Sequence, residues 1–141
     1  MFFDFRAAAR GTSPVLLSSP HSGRLYPSRL LECATFDLDR LRPLDDGPVD
    51  VLLEPALPAT AGLLASLLPR AWIDLNRSLA EIDANWLQGS LPWKLERTAK
   101  VRAGLGLVPT RIGEAAIYAR PLPARDIQAR VQAGWRPFHE R

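Results

Sequence analysis

A histidine at the end of an apolar run is the first place in this sequence where chemistry could occur. His21 lies in the segment 18–23 (SSPHSG), directly after the run 15–17 (VLL), which predicts a buried strand. In α/β folds ligands bind outside the carboxyl ends of the strands, and imidazole is a common ligand of zinc. His21 is therefore a candidate metal ligand. A buried histidine satisfied by a backbone partner is the alternative.

A second apolar run followed by polar residues supplies candidate anion-binding groups. The segment 70–77 (RAWIDLNR) places Asn76 and Arg77 shortly after the run 71–73. A guanidinium can bind a carboxylate through two parallel hydrogen bonds, and an asparagine amide supplies further donors. An N-cap and a surface salt bridge would explain a single arginine. The combination with the turn at His21 favours a site for a small anion.

Two neighbouring aspartates, Asp45 and Asp46, are candidate oxygen ligands for a metal ion. They precede the apolar segment 49–53, which predicts a short buried helix or strand after an acidic loop. Helix capping or solvation of the loop is the alternative for either residue taken singly. From the residues alone, the metal-ligand role and the structural role both stay open.

Composition predicts an ordinary globular domain. The 141 residues are 47% hydrophobic and 23% charged. Basic residues are scattered among acidic ones with a net charge of +3, so we expect no nucleic-acid partner. The single cysteine, Cys33, cannot form an intramolecular disulfide, which fits a reducing cytoplasm. Residues 1–6 lack the features of a signal peptide, and no apolar stretch reaches the roughly 20 residues that cross a bilayer. We therefore expect a cytoplasmic protein without a membrane partner.

The first half of the chain must supply the elements that position these residues. Pro20 and Pro27 bracket the turn at His21 and disfavour a helix there. We expect, in order, a strand over 15–18, a short helix or surface loop over 28–42, a helix over 59–68 that ends before Pro69, and a strand over 71–74.

The second half is predicted to pack through its aromatic residues. Trp86 and Trp93 lie in a segment without periodicity, which predicts a loop packed onto the body of the protein. Ile127, Val131 and Trp135 recur every four residues, which predicts an amphipathic helix. We expect, in order, a long loop over 80–100, a strand over 103–109 with close backbone approach at its glycines, an extended piece over 117–121, and a helix that stops at Pro137.

Six segments together resemble the motifs of one enzyme family. They are 20–23 (PHSG), 46–50 (DGPVD), 74–77 (DLNR), 103–106 (AGLG), 117–118 (IY) and 135–139 (WRPFH). In this order and spacing they resemble the N-formylglutamate amidohydrolase family. That family carries a His-Ser-Gly turn, an Asp-x-x-Val-Asp element, an Asp-[Leu/Val]-Asn-Arg element and a Tyr-Arg-Pro-Tyr-His-like helix end. The resemblance covers nearly the whole chain.

The resemblance implies a Zn2+-dependent hydrolase with a three-layer, mixed-sheet α/β fold of the phosphorylase/hydrolase type, similar to zinc carboxypeptidases and aspartoacylases. Such enzymes hydrolyse a short acyl amide on an acidic amino acid, here N-formylglutamate to formate and glutamate during histidine breakdown. By this resemblance His21 and Asp46 would be metal ligands. Asn76 and Arg77 would bind the substrate carboxylate. Arg70 would polarise the scissile carbonyl and hold the developing oxyanion.

The sequence departs from the family in its length. The family's domain continues past the helix that ends here at His139, and its later part carries a second histidine in an Asp-x-His-Ser-like strand together with the candidate general base. We therefore expect residues 1–141 to be one incomplete domain, truncated at the C-terminus, without a third metal ligand. His139 matches the family's own helix-end histidine, which implies a structural role or a role supporting a metal ligand without binding the metal.

Two functions stay open. The first is hydrolysis of N-formylglutamate or a similar N-acyl amino acid; the alternative is an inactive remnant that acts as a small-anion binding or assembly domain. A carboxypeptidase-like enzyme acting on peptides is disfavoured, because Arg24 breaks the usual His-x-x-Glu ligand pair. The expected partners are a small-molecule N-acyl amino acid and, through an exposed sheet edge, further copies of the chain.

Overall fold

A three-stranded mixed sheet organises the structure, a computed structural model that describes residues 2–8, 14–57 and 61–140. Its strands are β1 (Phe3–Arg6), β2 (Leu16–Ser19) and β3 (Gly62–Ser66), in the order β1-β3-β2. The central strand, β3, pairs antiparallel with β1 and parallel with β2. All residues of β3 are buried. The strand expected over 15–18 is confirmed with a shift of one residue, but its expected burial is wrong, because Val15 and Leu16 are about half exposed.

The helix expected over 59–68 is wrong, because the described part of this segment contains β3. A short apolar run that is buried on both faces has no period that separates a strand from a helix. A Cβ atom on Gly62 would lie 2.9 Å from the carbonyl oxygen of Arg6. The glycine therefore allows β1 to approach closely, which favours the strand. Residues 59 and 60 lie outside the described residues.

Three short helices lie between β2 and β3. They are α1 (Ser28–Cys33), α2 (Leu38–Leu41) and α3 (Val49–Leu53). Single 3-10 turns follow the last two, at Arg42–Leu44 and Glu54–Ala56. Asp37 caps α2, since its carboxylate accepts a hydrogen bond from the backbone N–H of Arg40 at 3.0 Å. Helices thus form in parts of 28–42 and over 49–53, but the expected burial of 49–53 is wrong, because Val51 and Leu52 are exposed.

The chain coils back after β3 instead of forming the strand expected over 71–74. The backbone N–H groups of Trp72 and Ile73 both donate to the carbonyl oxygen of Pro69, at 2.9 and 3.3 Å. The N–H of Asp74 donates to a carbonyl of a later loop at 2.7 Å. These turns bury the apolar side chains of the segment, so the apolar run reflects a buried turn and the predicted strand is wrong.

The loop expected over 80–100 is confirmed for most of its length. It contains one 3-10 turn, Ala84–Trp86, and the two-residue strand β4 (Leu87–Gln88). Trp86 and Trp93 are partly buried against the core, as expected. The indole N–H of Trp93 donates to the carbonyl oxygen of Leu79 at 2.9 Å. The aromatic side chains therefore fix this loop to the body of the protein.

Short elements lie between this loop and the last helix. They are α4 (Ala99–Arg102), β5 (Arg111–Ile112), β6 (Ala115–Ala116) and β7 (Leu122–Pro123). β5 pairs with β6, and β7 pairs with β4. The strand expected over 103–109 is wrong, because Gly104 has a φ of +77° and turns the chain after α4. The close approach is confirmed, since a Cβ on Gly106 would lie 2.4 Å from the carbonyl oxygen of Glu81.

A continuous helical segment follows β7. It consists of α5 (Ala124–Arg130), a π-helical turn (Val131–Trp135) and α6 (Arg136–His139). The expected amphipathic helix is confirmed, but its expected stop at Pro137 is wrong. The π turn shifts the hydrogen-bond pattern, so the proline falls in the first turn of α6, where its missing N–H is tolerated. Phe138 then packs edge-on against Phe3 at 6.3 Å between ring centroids, which holds this helix against the sheet.

The architecture is mixed α/β with small mixed sheets, which confirms the expected fold class at that level. In the described part of the chain, no helix is long and apolar enough to cross a bilayer. That residues 1–141 form one incomplete domain stays a prediction.

Candidate active site

His21 lies between two carboxylates at the carboxyl end of the sheet. Its Nε2 is 2.7 Å from Oδ1 of Asp74 and its Nδ1 is 3.1 Å from Oδ2 of Asp46. The turn that holds the ring is pressed against the end of β3, because a Cβ on Gly23 would lie only 1.9 Å from the carbonyl oxygen of Leu68. Gly23, two residues after the histidine, is thus required for the packing of this site.

Both ring nitrogens of His21 face carboxylates, but a neutral imidazole has only one N–H to donate. A carboxylate accepts hydrogen bonds only, so Nε2–H donates to the fully buried Asp74. In the neutral ring this leaves the lone pair of Nδ1 facing an oxygen lone pair of Asp46 at 3.1 Å. Two lone pairs at this distance need a cation between them or a second proton on the ring. The geometry therefore favours a cation or a proton between Nδ1 of His21 and Oδ2 of Asp46.

Asp74 is the centre of the site. Besides His21, its carboxylate accepts the Nε–H of Arg70 at 2.8 Å and the backbone N–H of Asn76 at 2.9 Å. Nε of Arg77 lies 3.7 Å from the same carboxylate. Burial opposes the charge of Asp74, but the hydrogen bond and charge of His21, with Arg70, outweigh it and hold its pKa below the ordinary value. The carboxylate of Asp74 therefore keeps its negative charge although it is buried from solvent.

Asp74 has no role among those predicted from the sequence. A signal was present, since an aspartate directly after the buried run 71–73 must either reach solvent or find partners inside. The arginines at spacings of four and three residues, Arg70 and Arg77, are those partners. Which buried donor would complete the set could not be read from sequence, because His21 is 53 residues away along the chain.

Asp45 and Asp46 have different tasks in their shared loop. Asp45 forms hydrogen bonds within the protein. Its Oδ1 accepts a hydrogen bond from the backbone N–H of Arg70 at 2.7 Å, and its Oδ2 accepts one from the hydroxyl of Tyr26 at 2.5 Å. Burial raises the pKa of Asp45, against these hydrogen bonds. The backbone N–H of Asp46 donates to the carbonyl oxygen of His21 at 3.1 Å. The loop is thus tied down so that Asp46 faces the imidazole.

The structure brings most of the predicted site residues together. His21, Arg70 and Arg77 converge on Asp74, and Asp46 lies on the other side of the imidazole. Arg77 is also fixed by its Nε–H, which donates to the carbonyl oxygen of residue 105 at 3.1 Å. Asn76 is exposed beside this group, attached to it through its backbone. These residues are called the His21 site below.

The His21 site fits part of a zinc site. Zinc–ligand bonds of about 2 Å place two ligand atoms of a tetrahedral ion roughly 3–4 Å apart, which matches Nδ1 of His21 and Oδ2 of Asp46. A ligating histidine also donates its other ring N–H to a carboxylate in most zinc sites, as His21 does to Asp74. Among the described residues, no group of three or more His, Cys, Asp or Glu side chains could hold a metal ion. The residues thus supply two ligands and their orientation.

The comparisons with known proteins agree with this geometry. The family model for N-formylglutamate amidohydrolase matches residues 13–141. The chain belongs to the N-formylglutamate amidohydrolase family. It is similar to the crystal structure of N-formylglutamate amidohydrolase from Ralstonia eutropha JMP134, solved at 2.00 Å resolution, with 35% identity and a TM-score of 0.90. The superposition covers 99% of this chain and 49% of that one. A search of curated proteins found no match.

Local contacts explain two further residues, His139 and Arg24. Nδ1 of His139 lies 2.9 Å from the carbonyl oxygen of Trp135, and the two rings stack at 4.0 Å between centroids. This local contact supports the structural role predicted for His139. Arg24 forms two hydrogen bonds with Asp50, at 2.9 and 2.7 Å, so a carboxypeptidase-like ligand at that position is absent and an ion pair replaces it.

Proposed function

We propose that this chain contributes the metal-binding and carboxylate-binding part of an amidohydrolase that acts on N-formylglutamate or a similar N-acyl amino acid. The chain spans about half the length of the solved structure it matches, 49%. The observation that carries the proposal is His21, held by the buried Asp74 on one nitrogen while the other faces Asp46. A sheet arrangement like that of the zinc carboxypeptidases is the finer fold that we propose for the family.

Zinc is the cofactor that we propose for the His21 site. Nδ1 of His21 and Oδ2 of Asp46 would hold it, and a catalytic zinc site needs a third protein ligand besides these two. When bound, zinc polarises a carbonyl and lowers the pKa of a coordinated water toward neutrality. The role of Asp74 is then to fix the ring plane and the tautomer of His21.

The arginines would bind and orient the substrate. We propose that Arg77, with the exposed amide of Asn76 beside it, binds a substrate carboxylate through two parallel hydrogen bonds. We propose that Arg70 stabilises the negative charge that develops on the carbonyl oxygen. Nε of Arg70 donates to Asp74 and Nε of Arg77 donates to the carbonyl oxygen of Leu105. Both guanidinium groups would therefore be presented without further ordering.

The reaction that we propose is hydrolysis of the acyl amide. The oxygen of water bonds to the acyl carbon, the carbon–nitrogen bond breaks, and the nitrogen takes up a proton as the amino acid leaves. For N-formylglutamate the products are formate and glutamate. The alternative of a remnant that only binds small anions has less support, because anion binding requires no carboxylate at Nδ1 of His21.

Formate release with N-formylglutamate as substrate tests this proposal. Because the described residues supply two metal ligands, we expect the 141-residue chain alone to hold zinc weakly and to release formate near the background rate. A longer family member carrying the His21 site should release formate, lose this activity to a chelator and regain it with zinc. Chelator-resistant turnover would contradict the zinc proposal, and absence of turnover would contradict the hydrolase proposal.

A further inference from the structure

A cavity of about 1030 Å³ lies beside the His21 site, and its lining includes Ser22, Gly23 and Asp45. Neither His21 nor Asp74 lines it. Its apolar wall is formed by side chains from the N-terminus, the loop before α1, α1, α2 and the turn after β3: Phe2, Leu25, Leu31, Leu38, Leu68 and Trp72. Leu25 and Leu31 are exposed, large apolar side chains. Binding of an apolar molecule to this wall would be favourable, because it removes apolar surface from water.

Arg130 borders this cavity and is only 1% exposed. Its Nη1 donates to the carbonyl oxygen of Trp72 and to the hydroxyl of Tyr118, both at 3.0 Å. The guanidinium carbon lies 3.7 Å from the centroid of the Trp72 ring. One face and one nitrogen of the guanidinium are therefore used inside the protein.

The rest of this guanidinium has no partner in the described part of the chain. Nε of Arg130 is buried without a hydrogen bond, and the two hydrogen bonds of the side chain both come from Nη1. No carboxylate of the described residues forms an ion pair with it. A buried, unpaired cation is costly. The Nε–Nη2 edge is also the fork with which arginine binds a carboxylate through two hydrogen bonds.

The other charged groups of the cavity wall already have partners. Arg24 is paired with Asp50, Arg42 with Asp39 and the carboxylate of Asp45 with the hydroxyl of Tyr26, which is also part of the wall. Arg130 is therefore the one cation that the described residues leave for a ligand there. This charge count favours a ligand with a single negative charge.

The geometry points to this cavity as a binding site for a small amphipathic carboxylate. Its carboxylate would pair with the Nε–Nη2 edge of Arg130, and its acyl or aryl body would lie against Leu31, Leu38 and Trp72. Nε has almost no accessible surface, so binding includes a small shift of the cavity wall around it. The site is separate from the proposed hydrolytic function and does not depend on it.

Octanoate and 1-octanol are the probes for this site, because they share a chain length and differ in the charged head. Isothermal titration calorimetry with the wild-type protein should show one octanoate per chain, bound at least tenfold more tightly than 1-octanol. Quenching of tryptophan fluorescence should accompany binding, since Trp72 lies in the wall. An excess of N-formylglutamate should leave octanoate binding unchanged. Equal binding of the two probes, no binding of octanoate, or competition by N-formylglutamate would overturn the proposal.

Leu31→Glu places a carboxylate in the wall at an exposed position and should weaken octanoate binding at least tenfold. Leu52→Glu is the matched control, because Leu52 is 75% exposed and lies outside the cavity wall. Equal octanoate affinity in these two variants would place the bound octanoate elsewhere and overturn the proposal. Arg130→Lys keeps the charge but removes the fork, and should weaken octanoate more than 1-octanol. A second copy of the chain on this surface would instead appear as concentration-dependent association, reversed by neither probe.

Discussion

Replacing Asp74 by asparagine should strongly destabilise the protein, because this carboxylate holds two side chains and one backbone N–H of the site. It accepts hydrogen bonds from His21, Arg70 and the backbone N–H of residue 76, at 2.7 to 2.9 Å, and it is fully buried. Asparagine keeps one acceptor oxygen but turns an amide N–H₂ toward one of these donors. It also removes the negative charge that balances Arg70 and Arg77.

The expected loss is about 3–5 kcal/mol of unfolding free energy, the usual cost of removing one partner from a buried ion pair. Asp50→Asn is the matched control, because it makes the same chemical change in a carboxylate whose partner, Arg24, is 57% exposed. Exposed ion pairs contribute about 0–1 kcal/mol. Urea unfolding followed by tryptophan fluorescence measures both variants. A loss for Asp74→Asn within about 1 kcal/mol of the control would refute the central role given to this carboxylate.

Three further predictions follow from named contacts. Gly23→Ala should destabilise the protein by about 3 kcal/mol or more, because its Cβ would meet the backbone oxygen of Leu68 at 1.9 Å; a midpoint of thermal unfolding equal to wild type would contradict this. Arg77→Lys, in a catalytically active relative, should mainly raise KM for N-formylglutamate, since lysine lacks the fork; an unchanged KM would assign Arg77 a structural role. The hydrogen bonds of Arg24 hold the pKa of Asp50 below its ordinary value, so their stabilisation exists above about pH 4 and is lost as the pH falls through the lower folded value. The difference in urea stability between wild type and Asp50→Asn should therefore shrink between about pH 6 and about pH 3, and a constant difference would refute it.

The residues of the site were partly predictable from sequence because they lie beside apolar runs. His21 comes after the run that forms β2, and Arg70 and Arg77 flank the run 71–73, so both groups had to emerge at the edge of the body. The resemblance to the family then paired Asp46 with His21. Their separation of 3.1 Å lies in the predicted range, while the metal itself stays a prediction.

The central position of Asp74 and the course of the chain around it were not predictable in the same way. Periodicity does not distinguish a buried strand from a buried helix in a run as short as 62–66, nor a strand from a buried turn at 71–73. In both cases the deciding contacts are with distant parts of the chain, such as the close approach of Arg6 to Gly62. These tertiary contacts cannot be read from local residue types.

The central claim is that Nδ1 of His21 and Oδ2 of Asp46 share a zinc ion. The zinc affinity of a longer family member that carries the His21 site, measured against a chromophoric chelator, tests it most directly. We expect His21→Ala and Asp46→Ala each to lower the affinity at least tenfold. Asp39→Ala, which removes a carboxylate that is 85% exposed and pairs with Arg42, should bind zinc as the wild type does. If all three variants bind zinc like the wild type, or if the wild type binds none, the zinc assignment is wrong.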